Sequence, residues 1–171
     1  MPLTITLNTA FPFAANEVWI AVFGQLSHVI GDTRTLIGNF YLVSSHQQGD
    51  GPAPQPTNDL PSAGPGTPDQ VILPSSSLSD WGANLKLPVP GAELEYSGRI
   101  VISVGAPAQC QVVKADHSVA APTASNAADP STGTIYDFLE FTMSPGSAAT
   151  NSVDVDTSQV DSFGVGLSLQ L

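Results

Sequence analysis

Charge is scarce in this sequence. Only 11% of its 171 residues are Asp, Glu, Lys or Arg, and just four are basic: Arg34, Lys86, Arg99 and Lys114. These form no cationic stripe, so nothing would neutralise the phosphates of a nucleic acid, which argues against that partner. An anionic membrane surface is disfavoured on the same ground. The excess of acid gives a net charge of −11, whose simplest consequence is solubility. Cys110 stands alone, so no intrachain disulfide can form, and a buried thiol is expected rather than a catalytic one. His28, His46 and His117 show no ligand spacing and are expected at the surface. No apolar run approaches the ~20 residues of a membrane span. The opening Met1 to Ile5 has neither a basic segment nor a long apolar one, which leaves open a cytoplasmic chain, a removed export signal or another route. No amphipathic helix of ordinary length can be found, and no cofactor motif accompanies the sequence.

What is present is short β sequence punctuated by Gly and Pro. The length suits one domain, residues 1–171, with a real core. Leu3, Ile5 and Leu7 alternate with Thr, the pattern of a half-buried strand. Glu17 to Phe23 is β-branched and aromatic and predicts a central strand buried on both faces. Further strands are expected at Gly38 to Ser44, Val71 to Leu73, Leu85 to Val89, Ser97 to Gly105 and Gln111 to Lys114. Residues 47–70 carry Pro52, Pro54, Pro56, Pro61, Pro65 and Pro68 and read as a long loop excursion. Ala115 to Pro130 also reads as loop. One helical turn fits within Ser75 to Asn84, with Ser79 as its cap. The fold class is all-β, a sandwich or barrel of antiparallel strands with long loops.

Two carboxylates stand out near the C-terminus. Glu140 lies inside the run Thr134 to Met143, and Asp161 opens the apolar run that ends at Leu171. A strand gains little from an acid among aromatics, because desolvating it is costly unless it is paired or functional. Alternation puts Phe138, Glu140 and Thr142 on one face and Leu139, Phe141 and Met143 on the other. If the two strands are neighbours, Glu140 and Asp161 face one cleft. Glycoside hydrolysis uses such a pair: one carboxyl protonates the leaving oxygen and the other acts from the opposite side. Patterning alone also fits acids that bind backbone amides or hydroxyls at strand ends, and favours that simpler role. Asp154 and Asp156 could ligate Ca²⁺, although alternating acids on a strand more often face solvent, so no metal site is assigned. Trp19, inside a β-rich run, reads as core, whereas Trp81 and Tyr41 lie in accessible contexts that suit stacking on a sugar. Asp137 either orients the site or caps a turn. With Thr142, these three residues make a candidate substrate-binding set: Asp137, Thr142, Tyr41 and Trp81.

The run Asp129 to Thr142 (Asp-Pro-Ser-Thr-Gly-Thr-Ile-Tyr-Asp-Phe-Leu-Glu-Phe-Thr), followed by Thr157 to Gly164 (Thr-Ser-Gln-Val-Asp-Ser-Phe-Gly) and Leu167 to Leu169, resembles the β-1,3-glucanases of glycoside hydrolase family 64, in the thaumatin-like superfamily. Val71 to Pro74 and Ser97 to Gly105 fit the same pattern, and Leu3 to Gly24 fits more loosely. The resemblance covers most of the chain outside the Pro-rich loop. It implies a flattened β-sandwich with an acidic cleft for β-1,3-glucan, inverting endo-hydrolysis without a cofactor, and a secreted setting. It also implies that Glu140 matches the general acid and Asp161 the general base. Family members continue beyond the strand ending at Leu171 with a part that builds the second wall of the cleft, so a half-cleft is expected here. Asn151 to Asp156 departs from the family's hydrophobic lead into the aspartate strand.

Three functions follow from these readings. The first is an inverting endo-β-1,3-glucanase. The second is a non-catalytic β-glucan-binding module on the same groove. The third is a self-assembling structural protein, suggested by the low charge content and by apolar edge strands such as Leu3 to Leu7.

Overall fold

The computed structural model describes residues 3–6, 12–44, 47–48, 51–60, 70–82, 84–87, 91–113, 115–123, 126–145 and 152–156. Along the chain these form β1 (Leu3–Thr6), β2 (Val18–Ile30), β3 (Thr33–Leu42), β4 (Gln47–Gln48), β5 (Gly51–Pro52), β6 (Gln55–Pro56), β7 (Gln70–Ile72), β8 (Ser76–Ser77), α1 (Leu78–Trp81), β9 (Asn84–Leu87), β10 (Leu94–Val104), β11 (Gln111–Val113), β12 (Val119–Ala120), β13 (Ile135–Ser144) and β14 (Ser152–Asp156). The fold is all-β, and every recorded pairing is antiparallel.

A seven-stranded sheet dominates, in the order β14-β13-β10-β2-β3-β6, with β8 added beside β2. The two-stranded sheet β1-β9 and the small sheet β12-β11-β7 are separate. Two cores follow from this arrangement. The first joins Val18, Ile20 and Val22 of β2, Ile100 and Ile102 of β10, and Leu139, Phe141 and Met143 of β13 to Leu85, Leu87 and Trp81. The second joins Ala21 and Phe23 of β2, Val101 of β10 and Tyr136 of β13 to Leu73, Cys110 and Val112 beside and within the small sheet. Consecutive residues of β2 thus enter opposite cores, which explains why Val18 to Phe23 is apolar at both parities.

The small sheet covers only part of its face. In β2 the apolar run from Val18 stops at Phe23, in β10 Ile100 to Ile102 follow Arg99, and in β13 Phe138 and Leu139 precede Glu140. These limits are in register, since Arg99 pairs with Phe23 on one side and with Glu140 on the other. Past them, Leu26, Tyr96, Phe141 and Met143 keep the first-core face apolar while the second-core face turns polar.

Gly24 and Gly98 oppose each other across β2 and β10 at this boundary. A Cβ on Gly98 would overlap the Phe23 carbonyl oxygen and come within 3.1 Å of Phe141 Cζ, and one on Gly24 would overlap the Ser97 carbonyl. The close approach of the two backbones therefore requires glycine.

Several sequence expectations change. The stretch 47–70, read as loop, contains β4, β5, β6 and a 3₁₀ turn at Thr57–Asp59. Pro56 is tolerated in β6 because β6 ends the sheet path and needs a ladder on one side only. The stretch 115–130, also read as loop, contains β12; two residues are too few to show a period. The helical turn is capped by Ser77 rather than Ser79. Ser77 Oγ accepts from the Asp80 N–H at 3.3 Å and Asp80 Oδ2 accepts from the Ser77 N–H at 3.1 Å, a reciprocal box that places Ser79 inside the helix. β1 is paired with β9 along its length, in a sheet of these two strands. No helix among the described residues is long and apolar enough to cross a membrane.

Replacing Gly98 by Ala is expected to lower stability by about 1–3 kcal/mol, the range for overpacking. Urea unfolding of Gly98→Ala measures it, and an unchanged midpoint would mean that the two strands can separate without cost.

Candidate active site

The half-face that the described residues leave uncovered carries the candidate site. Because the strands are in register, its side chains fall into rows that cross the sheet, with successive rows roughly 6.8 Å apart along the strands. The first row runs Tyr41, Phe23, Arg99, Glu140, Asp156. The second runs Asn39, Gln25, Ser97, Thr142, Asp154. Further out lie Ser27 and Glu95, paired in register, and Ser144 and Ser152, likewise paired. The end of β12 forms a wall, and the resulting cleft of about 460 Å³ is lined by Phe23, Gln25, Asn39, Ser97, Arg99, Glu140 and Thr142 with Ser118 and Val119.

Glu140 is 41% exposed at its side chain and is held by Arg99, whose Nε lies 2.7 Å and Nη2 2.6 Å from the same oxygen, Oε1. The guanidinium stands 4.7 Å above the Phe138 ring, a cation–π contact that fixes its plane. Among the described residues, Glu140 Oε2 accepts no hydrogen bond. Ser97 and Thr142 hydroxyls bond to each other at 3.2 Å in the neighbouring row.

The wall is pinned from behind. Thr57 is 1% exposed, and its Oγ1 donates to the His117 carbonyl at 2.9 Å. Asn39 Nδ2 donates to the Asp116 carbonyl at 3.3 Å. Within the turn, Asp116 Oδ1 accepts from the Ser118 N–H at 3.0 Å and from Ser118 Oγ at 2.7 Å. The Ser118 hydroxyl, more than its N–H, holds the Asp116 carboxyl below its ordinary range.

At the outer end of the face, Glu95 is 5% exposed. Arg34 covers it, with Nε donating to Oε1 at 2.8 Å and Nη2 to Oε2 at 3.0 Å, while Ser144 Oγ donates to Oε2 at 2.5 Å. The Arg34 hydrogen bonds hold the Glu95 carboxyl below the ordinary carboxylate range, against the opposing pull of burial.

The sequence-derived residues divide by strand parity. Glu140, Thr142 and Tyr41 share the cleft face. Asp137 does not: it pairs with Ile102 of the first core, is 2% exposed, and its Oδ1 accepts from the Phe138 N–H at 2.8 Å. It therefore faces away from Glu140 and acts within the fold. Trp81, expected to be an accessible platform, is 4% exposed in the first core, because the Ser77 cap turns its ring inward against the sheet. Trp19 is half-buried. Asp161 lies outside the described residues. The carboxylates next to Glu140 here are Asp156, directly opposite, and Asp154, one row away. Among the described residues no group of three or more His, Cys, Asp or Glu side chains is placed to hold a metal ion. Cys110 is buried, and burial pushes its thiol up to about 12.

Arg99, Gln25 and Ser97 were missed as site residues by reading the sequence. A signal for Arg99 and Ser97 exists: Glu95, Ser97 and Arg99 alternate along β10 before Ile100.

Comparison with known proteins bears on this face. The family described as β-1,3-glucanase, glycoside hydrolase family 64, matches residues 4–171. The solved structure of the laminaripentaose-producing β-1,3-glucanase from Paenibacillus barengoltzii is similar, with a TM-score of 0.61 and 20% identity over 95% of this chain and 35% of that one. The complex of that enzyme with laminarihexaose gives the same TM-score of 0.61, 20% identity and coverage of 95% and 35%. No curated protein matches the sequence. At this identity the likeness is one of fold, and the chain spans 35% of the length of the Paenibacillus enzyme.

Two outcomes test the electrostatics and the wall. The folded Glu95 carboxyl titrates below its unfolded value, so its contribution is full above the ordinary 4.5 and is lost as pH falls through the folded value. Glu95→Gln should therefore be less stable than wild type near neutrality and lose less stability between about pH 5 and pH 3; parallel denaturant curves for the two proteins would contradict this. Thr57→Val, which leaves the His117 carbonyl without its donor, is expected to cost about 1–2 kcal/mol in thermal unfolding.

Proposed function

The chain belongs to glycoside hydrolase family 64, the β-1,3-glucanases, and we propose that its polar half-face is the part of a glucan cleft that carries the acid of an inverting endo-β-1,3-glucanase. The observation that supports this reading is the placement of Glu140. It stands between Arg99 and Asp156 in a cross-strand row, half-exposed in the cleft, with one oxygen held by Arg99 and the other accepting no hydrogen bond among the described residues. Glu140 is the general acid, and Asp161, from the matched family segment, is the general base.

In this mechanism Glu140 delivers its proton to the glycosidic oxygen as the bond between that oxygen and the anomeric carbon breaks. Asp161 takes a proton from a water whose oxygen bonds to the opposite side of the same carbon. One glucan bond and one water are consumed, and the new reducing end has inverted configuration. Because Arg99 occupies Oε1, the proton is carried and delivered at Oε2. Inverting enzymes separate the two carboxyls by roughly 6.5–9.5 Å.

Substrate binding falls to the neutral side chains around the acid. Thr142, Ser97 and Gln25 offer hydroxyl and amide partners in the adjacent row, and Tyr41 at the end of the acid's own row offers an aromatic edge for a sugar ring. Neutral hydrogen-bonding groups suit an uncharged polysaccharide, and the similar Paenibacillus enzyme, solved with laminarihexaose, supports a linear β-1,3-linked glucan as the ligand. The chain's 35% coverage of that enzyme favours a second reading, a glucan-binding module without hydrolysis.

Reducing-end release from a linear β-1,3-glucan separates the readings. Wild type should release ends, and Glu140→Gln should be slower by roughly 10²–10⁴-fold, the usual worth of a general acid. Proton NMR of the fresh product should show the α anomer first. No release together with retention on insoluble β-1,3-glucan would identify a binding module, and neither activity nor retention would make self-association the leading question, to be answered by light scattering.

A further inference from the structure

We propose that Arg99 is the positioning residue for Glu140: it fixes which carboxyl oxygen carries the proton and receives the charge that Glu140 gains when the proton leaves. The inference rests on Glu140 acting as the acid. Two nitrogens of Arg99, Nε at 2.7 Å and Nη2 at 2.6 Å, converge on the single oxygen Oε1. An ion pair serving only to neutralise charge would more simply use both carboxylate oxygens, as Arg34 does on Glu95 at the other end of the same face. The converging contact engages Oε1 alone and, among the described residues, leaves Oε2 without a hydrogen bond in a side chain that lines the cleft. The guanidinium is itself fixed from below, 4.7 Å over the Phe138 ring. Its neighbours in the row are Phe23 and Glu140, so the geometry is set by the sheet rather than by a loop.

The direction of charge flow gives Arg99 its effect. Before proton transfer Glu140 is a neutral acid, with its proton on Oε2. As the proton moves to the glycosidic oxygen, the Oε2–H bond breaks and its electron pair stays on the carboxyl, spreading to Oε1. Arg99 already stands at Oε1, so its interaction is stronger in the transition state than in the substrate complex. The second carboxylate of the row, Asp156, lies directly across from Glu140 and would oppose that charge. Among the residues lining the cleft Arg99 is the cation that offsets it. A residue acting in this way changes kcat and leaves KM nearly alone.

The test is kinetic, on linear β-1,3-glucan, with wild type, Arg99→Met, Arg99→Lys, Glu140→Gln and the double variant Arg99→Met/Glu140→Gln. Arg99→Met should lower kcat by roughly 10- to 100-fold, the equivalent of a charge-assisted hydrogen bond, with KM and retention on insoluble glucan within about threefold of wild type. Arg99→Lys keeps the charge without the fork and should recover part of the loss; it also serves if Arg99→Met does not fold. In the Glu140→Gln background Arg99→Met should have almost no further effect, because Arg99 acts through the carboxyl. The proposal is overturned if Arg99→Met keeps wild-type kcat, if it raises KM alone, or if it costs the same factor with and without Glu140. An inactive wild type would instead overturn the hydrolase reading and this inference with it, so the two failures are told apart.

Discussion

A strand presents successive side chains to opposite faces, so a sheet covered on both sides must be apolar at both parities, and one covered on a single side needs only every second residue. The central sheet of this protein meets both conditions along the same strands. Leu85 and Leu87 of β9 pack with Trp81 on the first-core face, while the small sheet of β7, β11 and β12 covers part of the other. Where that cover stops, β2, β10 and β13 all change from continuous to alternating sequence at registered positions, Phe23, Arg99 and Glu140. Among the described residues the polar cleft is the remainder that the small sheet leaves uncovered, and its position follows how far that sheet reaches.

The chemistry of the cleft follows from that boundary. A carboxylate placed further under the small sheet would meet Phe138 and Val101 and lose its water. One placed further out would lie in open solvent or, like Glu95, need its own guanidinium cover. Glu140 sits between these limits, beside the buried layer and still half-exposed. The neighbouring glycines, Gly24 and Gly98, let β2 and β10 approach closely beneath it. The polar bonds that pin the 115–118 turn hold the wall that closes the cleft on one side.

Much of this was legible in the residues. The twofold period of Phe138 to Met143 separates Glu140 and Thr142 from Leu139, Phe141 and Met143, and the density of β-branched residues in Glu17 to Phe23 marks the central strand. Other features were not legible, for physical reasons. Trp81 looked accessible because it follows a polar run, but the capping box at Ser77 decides which way that short helix turns. Asp137 and Glu140 sit three residues apart, and an odd separation on a strand sends them to opposite faces. Arg99 and Glu140 are 41 residues apart in the chain, and their contact depends on the register of β10 and β13, which local sequence does not set. The same registration brings Asp156 opposite Glu140, a neighbour that the sequence suggested only as one of two alternating acids.

The central claim is that a β-1,3-glucan lies on the uncovered half-face with its scissile bond at Glu140. The most direct measurement is a crystal structure of Glu140→Gln soaked with a linear β-1,3-linked gluco-oligosaccharide. The expected result is a glycosidic oxygen about 3 Å from the amide at position 140, within hydrogen-bond reach of the group that would protonate it, with adjacent sugars over Gln25, Ser97 and Thr142. An oligosaccharide bound to a different face, or lying in the cleft with every glycosidic oxygen beyond hydrogen-bond reach of position 140, would contradict it.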